Sequence, residues 1–174
     1  MENIRNMRNA GNMESTFMEK PYHLLTPMRV TLISASNKGK DNFMPASWCF
    51  PLSFEPALFG VAIAPKRFTH DMINESKEYV INIPGMDLKE KIEKFGRISG
   101  KNCDKFKASG LTQEKSESVR AVSIKECLAS IECKVISEFT TGDHTIFVGK
   151  VHNIKIRKRG KGIYNTQNSK LIVF

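Results

Sequence analysis

Apolar residues in this chain come in short runs that alternate with polar positions, the period-two signature of half-buried strands. Met28 to Ser34 (MRVTLIS) is rich in β-branched residues and leads into the turn-forming stretch Asn37-Lys38-Gly39-Lys40-Asp41-Asn42. Three prolines, Pro45, Pro51 and Pro56, break the following FMPASWCFPLSFEP into short extended pieces. ALFGVAIA, Ala57 to Ala64, is a continuous apolar run that predicts a buried strand. A first helix is expected after it, capped by Thr69 and carrying Asp71, Met72, Ile73 and Glu75. YVINI, Tyr79 to Ile83, predicts another strand. Asp87 and Glu90 have capping-box spacing for a second helix, with Leu88, Ile92 and Phe95 on one face and Gly96 as its stop. Beyond the loop through SGKNCDKF lie the strand ECLASIECKVISEF, the hairpin signal TTGDH, the long strand TIFVGKVHNIKI and a closing SKLIVF. In ECLASIECKVISEF one face reads Cys127, Ala129, Ile131, Cys133, Val135 and Phe139, and the polar face includes Ser130, Glu132, Lys134 and Glu138. Six or seven strands with two short helices predict a mainly β fold, an antiparallel barrel or sandwich with helical decoration.

A length of 174 residues fits one domain, and 40% hydrophobic residues suffice for a buried core. The first twenty residues lack periodicity and are expected to form an arm, leaving 21–174 as the domain. The N-terminus mixes Glu, Arg and Asn without an apolar core, so a secretory signal is not expected and the cytoplasm is the default. No apolar run is long enough to cross a bilayer as a helix. The net charge of +9 is concentrated at the C-terminal end, where Thr145 to Phe174 holds seven basic residues and no acidic one. Such a segment attracts nucleic acid, an acidic redox partner or a phosphorylated molecule such as the 2′-phosphate of NADPH. Lys155 to Lys161 has no interleaved aromatic residue for base stacking, which argues against nucleic acid.

The four cysteines, Cys49, Cys103, Cys127 and Cys133, form no CxxC pair and have no histidine at zinc-finger spacing, so no metal site is expected. P-loop, GxSxG, HExxH and GxGxxG patterns are also missing. The most informative segment is Pro65-Lys66-Arg67-Phe68-Thr69, which follows a strand and opens a helix. Helix-terminal amides, two full charges and a hydroxyl there suit a phosphate. Asn42-Phe43-Met44-Pro45-Ala46-Ser47-Trp48-Cys49 gathers an amide, a hydroxyl and the single tryptophan, suited either to holding a planar heterocycle or to forming core. Asp143-His144 is either an acid-oriented histidine for proton transfer or a surface turn.

Taken in order, PMRVTLISA, NFMPASWCFPLSFEPALFGVAIAPKRFTHDMI, YVINIP, FGRISGKNCDKF, ECLASIECKVI and GDHTIFVGKV resemble the flavin reductase-like family, in particular its flavoredoxin and archaeal ferric reductase branch. The resemblance spans about Pro21 to Val151 and weakens toward the C-terminus. It implies an FMN-binding split β-barrel of Greek-key type, a homodimer with one flavin per subunit near the interface. By position, Asn42, Ala46, Ser47, Trp48 and Cys49 would line the ring and ribityl chain. Lys66, Arg67 and Thr69 would lie near the phosphate, and Asn82 beside the cofactor. Ser99, Gly100 and Lys105 match a loop that closes over flavin or nicotinamide. His144 matches a catalytic histidine facing the flavin where nicotinamide or an acceptor approaches. The activity implied is electron transfer from NAD(P)H through FMN to free flavin, ferric iron or a protein. The alternative is a flavoredoxin-type carrier that does not use NAD(P)H directly.

Overall fold

A computed structural model describes residues 20–166 and 170–173. The arm expected over residues 1–20 lies, apart from Lys20, outside the described residues. The strands are β1 Met28–Arg29, β2 Thr31–Asn37, β3 Lys40–Ala46, β4 Cys49–Ser53, β5 Leu58–Ile63, β6 Glu78–Ile83, β7 Gln113–Glu114, β8 Ser123–Ile124, β9 Ala129–Thr141, β10 His144–Ile156, β11 Ile163–Asn165 and β12 Leu171–Val173. The helices are α1 Phe68–Ser76, α2 Lys89–Phe95 and α3 Lys105–Ser109.

Seven strands form one antiparallel sheet in the order β3-β2-β6-β9-β10-β5-β4. β3 and β4 stand at opposite ends of that order, yet only Ser47 and Trp48 separate them in the chain. Two residues span at most about 7 Å, so the sheet has to curl until its ends meet. They meet without a hydrogen-bonded ladder, which makes the barrel split along this seam. The predicted mainly β, antiparallel split barrel is the observed architecture.

The alternation along β2 fills two cores. Ile33 and Ala35 point into the barrel with Val61, Ile63, Tyr79, Ile81, Cys133 and Phe147, and Met72 and Ile73 of α1 close one end. Leu32 faces the other way, where Phe43, Ile92, Phe95, Phe106, Ile124, Cys127 and Ile163 form a second cluster under α2 and α3. Gly149 on β10 is required by close approach. A methyl there would lie 2.7 Å from Tyr79 Cζ and 2.8 Å from Cys133 Cβ, and the Tyr79 hydroxyl is tied to Phe59 O at 3.0 Å. Gly149→Ala is expected to cost between about 1 and 2 kcal/mol by overpacking, read as a lower urea midpoint at unchanged slope.

Several local expectations are corrected. Thr69 is not the cap of α1: the cap position is Arg67, without a side-chain hydrogen bond, and the Thr69 hydroxyl instead accepts from Asn42 Nδ2 at 2.8 Å. Asp87 lies in a 3-10 turn, Met86–Leu88, that precedes α2 and does not cap it; its carboxylate pairs with Lys158 at 3.2 Å. Cys127 precedes β9 and packs in the second core, not on one face with Cys133. The polar face of β9 is not solvated throughout, because Ser130 and Glu132 are buried. Residues 113–124 cover it, and Glu132 accepts from the backbone N–H groups of Glu117 and Ser118 and from Asn153 Nδ2. Tertiary covering by a segment without strand periodicity overrode the local pattern.

Candidate functional site

The loop after β5, the middle of β3 and the loop after α2 converge on a cavity of about 210 Å³. Asn42, Lys66, Arg67, Thr69, Ser99, Gly100 and Lys105 all line it. Arg97 joins them, a residue the sequence reading did not single out although it stands one position after the helix stop Gly96. The lining thus carries four cations, Lys66, Arg67, Arg97 and Lys105, and no carboxylate. Among the described residues none of the four makes an ion pair. Four unneutralised charges around one hollow repel one another unless an anion joins them. The first-turn amides of α1, which have no intrahelical acceptor, add to the attraction.

Three lining side chains are almost wholly withdrawn from water: Asn42 at 2%, Thr69 at 1% and Lys105 at 3% exposure. The Lys105 ammonium donates to Phe43 O at 3.0 Å and Phe95 O at 2.9 Å and lies 5.5 Å from the centre of the Phe43 ring. Burial pushes it down to about 8; Cys103 opposes that shift and Arg67 adds to it. Asn42 spends its amide N–H on Thr69, and its Oδ1 is buried with no hydrogen-bond partner. A buried acceptor left bare is costly, and this one waits for a donor. Gly100 leaves the space beside it: a methyl there would lie 2.6 Å from Asn42 Cγ and 2.9 Å from Phe68 Cδ1.

The other predicted residues occupy the seam. Ala46 ends β3 inside the barrel core, and Ser47 and Trp48 form the half-buried crossing. Trp48 O accepts from Ala62 N at 2.9 Å, which fixes the crossing to β5. Cys49 begins β4; burial raises its thiol to about 11, with a hydrogen bond to Thr31 opposing. It is therefore a neutral thiol and no nucleophile at physiological pH. His144 opens β10 with its ring 4.6 Å from that of Trp48 and its Nδ1 2.6 Å from Asp143 Oδ1. That hydrogen bond lowers the Asp143 carboxyl below its ordinary value, with a further contribution from Lys66.

Asn82 lies elsewhere. It is fully buried, donates to Leu32 O and Ser34 Oγ, and accepts from Ile124 N and Ser130 Oγ. With both ends of its amide used, it ties β6 to β2, β8 and β9 and does not line the cavity.

The basic C-terminal segment is also remote from the site within the chain. Its residues from Lys155 onward lie at or beyond the far end of β10, roughly 40 Å of extended strand from His144. Lys155 pairs with Glu114 at 2.7 Å, Arg157 pairs with the same carboxylate, and Lys158 pairs with Asp87. Among the described residues no helix is long and apolar enough to cross a membrane.

Comparison with known proteins agrees with this architecture. An uncharacterised protein of Archaeoglobus fulgidus is 44% identical over 130 residues, covering 75% of this chain and 73% of the relative. A solved flavin reductase is 30% identical with a TM-score of 0.71, covering 84% of this chain and 90% of that one. The flavoredoxin of Desulfovibrio vulgaris (Miyazaki F), at 24% identity and a TM-score of 0.78 over 86% and 87% of the two chains, shares the fold. The flavin reductase-like domain profile matches residues 23–171, nearly the whole described structure, and the chain belongs to the flavin reductase-like family.

Proposed function

We propose that the chain is an FMN-binding oxidoreductase that passes electrons from NAD(P)H through the flavin to free flavin, ferric iron or a protein acceptor. The observation that carries this reading is the carboxylate-free cavity with four unpaired cations and the orphaned Asn42 Oδ1. These residues fit FMN, a dianionic phosphate ester of a polyhydroxylated chain. Lys66, Arg67 and Arg97 supply exposed charge for the phosphate, and Lys105 supplies a buried one. Asn42 Oδ1 offers an acceptor to a hydroxyl. FMN, when bound, supplies the redox chemistry. Trp48 walls the seam, Ser47 offers a hydroxyl there, and His144, oriented by Asp143, is the group placed to hold or move a proton at its other ring nitrogen, Nε2.

Large apolar side chains, Leu52, Phe54, Ile136, Phe139, Ile154 and Ile156, are exposed on and beside β4, β9 and β10. They support a homodimer, since exposed apolar patches mark association surfaces. The four cysteines are free thiols, which is compatible with a reducing, cytoplasmic site of action. The flavoredoxin-type alternative differs only in its electron donor.

Purified protein is expected to quench FMN fluorescence at one site per subunit, and NADH or NADPH is expected to bleach the bound flavin anaerobically. Bleaching by a reduced protein carrier but by neither nicotinamide would establish the alternative. A protein that leaves FMN fluorescence unchanged would sink the whole reading.

A further inference from the structure

A column of rings stands at the seam. Its inner end is His144 against Trp48, with centroids 4.6 Å apart. Tyr22 meets Trp48 edge-on, at 5.7 Å and 76°, and His23 meets Tyr22 at 4.5 Å and 80°. Tyr22 belongs to a 3-10 turn, Pro21–Leu25, held by Thr26, whose N–H and hydroxyl both donate to His23 O, at 3.2 and 2.6 Å. The turn leads directly into β1, which pairs with β11 in a three-stranded sheet of its own and so anchors the turn. Tyr22 precedes the residues that the family profile matches, 23–171.

Trp48 is half-buried and sits in the two-residue crossing, where its carbonyl is tied to β5 and its indole projects from the seam between the sheet's ends. Edge-to-face packing is directional, so a ring on Trp48 restricts where the indole lies relative to His144. Tyr22 is itself partly exposed, at 39%, and so forms part of the surface an incoming molecule meets.

We propose that Tyr22 is a specificity-determining residue: by packing on Trp48 it holds the indole against His144 and narrows the approach to the seam, favouring small flat acceptors over bulky ones. This rests on the FMN reading given above. Tyr22 acts through Trp48 and is a positioning residue, so its removal alters which acceptor reaches the site and leaves flavin affinity in place.

The test uses the FMN-loaded full chain, reduced with dithionite and mixed anaerobically with 1,4-benzoquinone or with a di-tert-butyl benzoquinone. Each quinone takes two electrons and two protons and becomes the hydroquinone while the flavin returns to its oxidised form. Tyr22→Ala is expected to raise the bulky-to-small rate ratio about fivefold or more over the native protein. Tyr22→Phe is expected to keep the native ratio, and Tyr22→Trp to lower it. Because Trp48 is the single tryptophan, its emission reports the packing directly even without flavin. It should shift to longer wavelength in Tyr22→Ala and not in Tyr22→Phe. An unchanged rate ratio in a Tyr22→Ala protein that binds FMN, whether or not the emission shifts, overturns the proposal and leaves the functional reading standing. A native protein that does not bind FMN overturns both.

Discussion

Lys105→Met is expected to weaken FMN binding roughly 100-fold, about 3 kcal/mol, the usual cost of removing one partner of a buried charge pair. Lys105 is the only one of the four cavity cations withdrawn from water, so its field is the least screened. Methionine approximates the volume of the lysine stem and isolates the loss of charge. The pH dependence has a definite sign. Burial lowers the Lys105 ammonium to about 8, so it carries its charge below that value and loses it above. FMN affinity should therefore be high at pH 7 and fall as the pH rises toward 9.5. The phosphate does not contribute to that fall, because its second ionisation, near pH 6, is complete throughout. In Lys105→Met this dependence should disappear and leave weak binding at every pH, measured by fluorescence quenching. Lys105→Arg, which does not lose its charge in this range, should bind without the alkaline fall. Native affinity in the methionine variant would show that the exposed cations suffice.

Gly100→Ala carries the second large effect, and it joins stability to binding. The added methyl would stand 2.6 Å from Asn42 Cγ and 2.9 Å from Phe68 Cδ1. Asn42 is buried and bonded to Thr69, so it has no solvent into which it can retreat. Either the 99–104 loop moves away from β3 or the Asn42–Thr69 bond breaks. Both outcomes distort the cavity at its orphaned acceptor. Overpacking of this kind costs about 1–3 kcal/mol. For a domain of this size that is a fall in Tm of roughly 4–8 °C for a cost near 2 kcal/mol. FMN affinity is expected to fall at least tenfold, on the order of the 1.4 kcal/mol per decade scale. Scanning calorimetry of the apo protein separates the two effects, since the Tm change needs no ligand. A Gly100→Ala protein with native Tm and native FMN affinity would mean that the loop yields freely and the close approach has no consequence.

Part of the cavity was legible because its residues are local. Lys66, Arg67 and Thr69 lie in one strand-to-helix turn and were read from their own chemistry; Ser99 and Gly100, in one loop, and Lys105, which opens the helix after it, entered through the family resemblance. The role of Thr69 was misread, since a hydroxyl at a helix start suits a cap equally well as a distant amide, and only Asn42 on β3 decides between them. Arg97 went unnoticed because an exposed cation after a helix stop carries no local signal. Asn82, in the apolar strand YVINI, was placed beside the cofactor by the family resemblance alone. Ser34, Ile124 and Ser130 come from three other parts of the chain and satisfy the amide. Tyr22 lay beyond any periodic segment, and its contact with Trp48 spans twenty-five residues that include β1 and the β2–β3 hairpin.

By itself the residue order determined the main strands, the turns between them and the Lys66–Thr69 part of the cationic cavity, because hydrophobic period, turn chemistry and charge act over a few positions. Tertiary structure alone decided that the sheet curls until β3 and β4 meet, which polar groups are buried with partners, and that Lys105 has no counter-charge among the described residues. Those outcomes depend on which distant segments displace water from one another, and that quantity has no representation in a window of neighbouring residues.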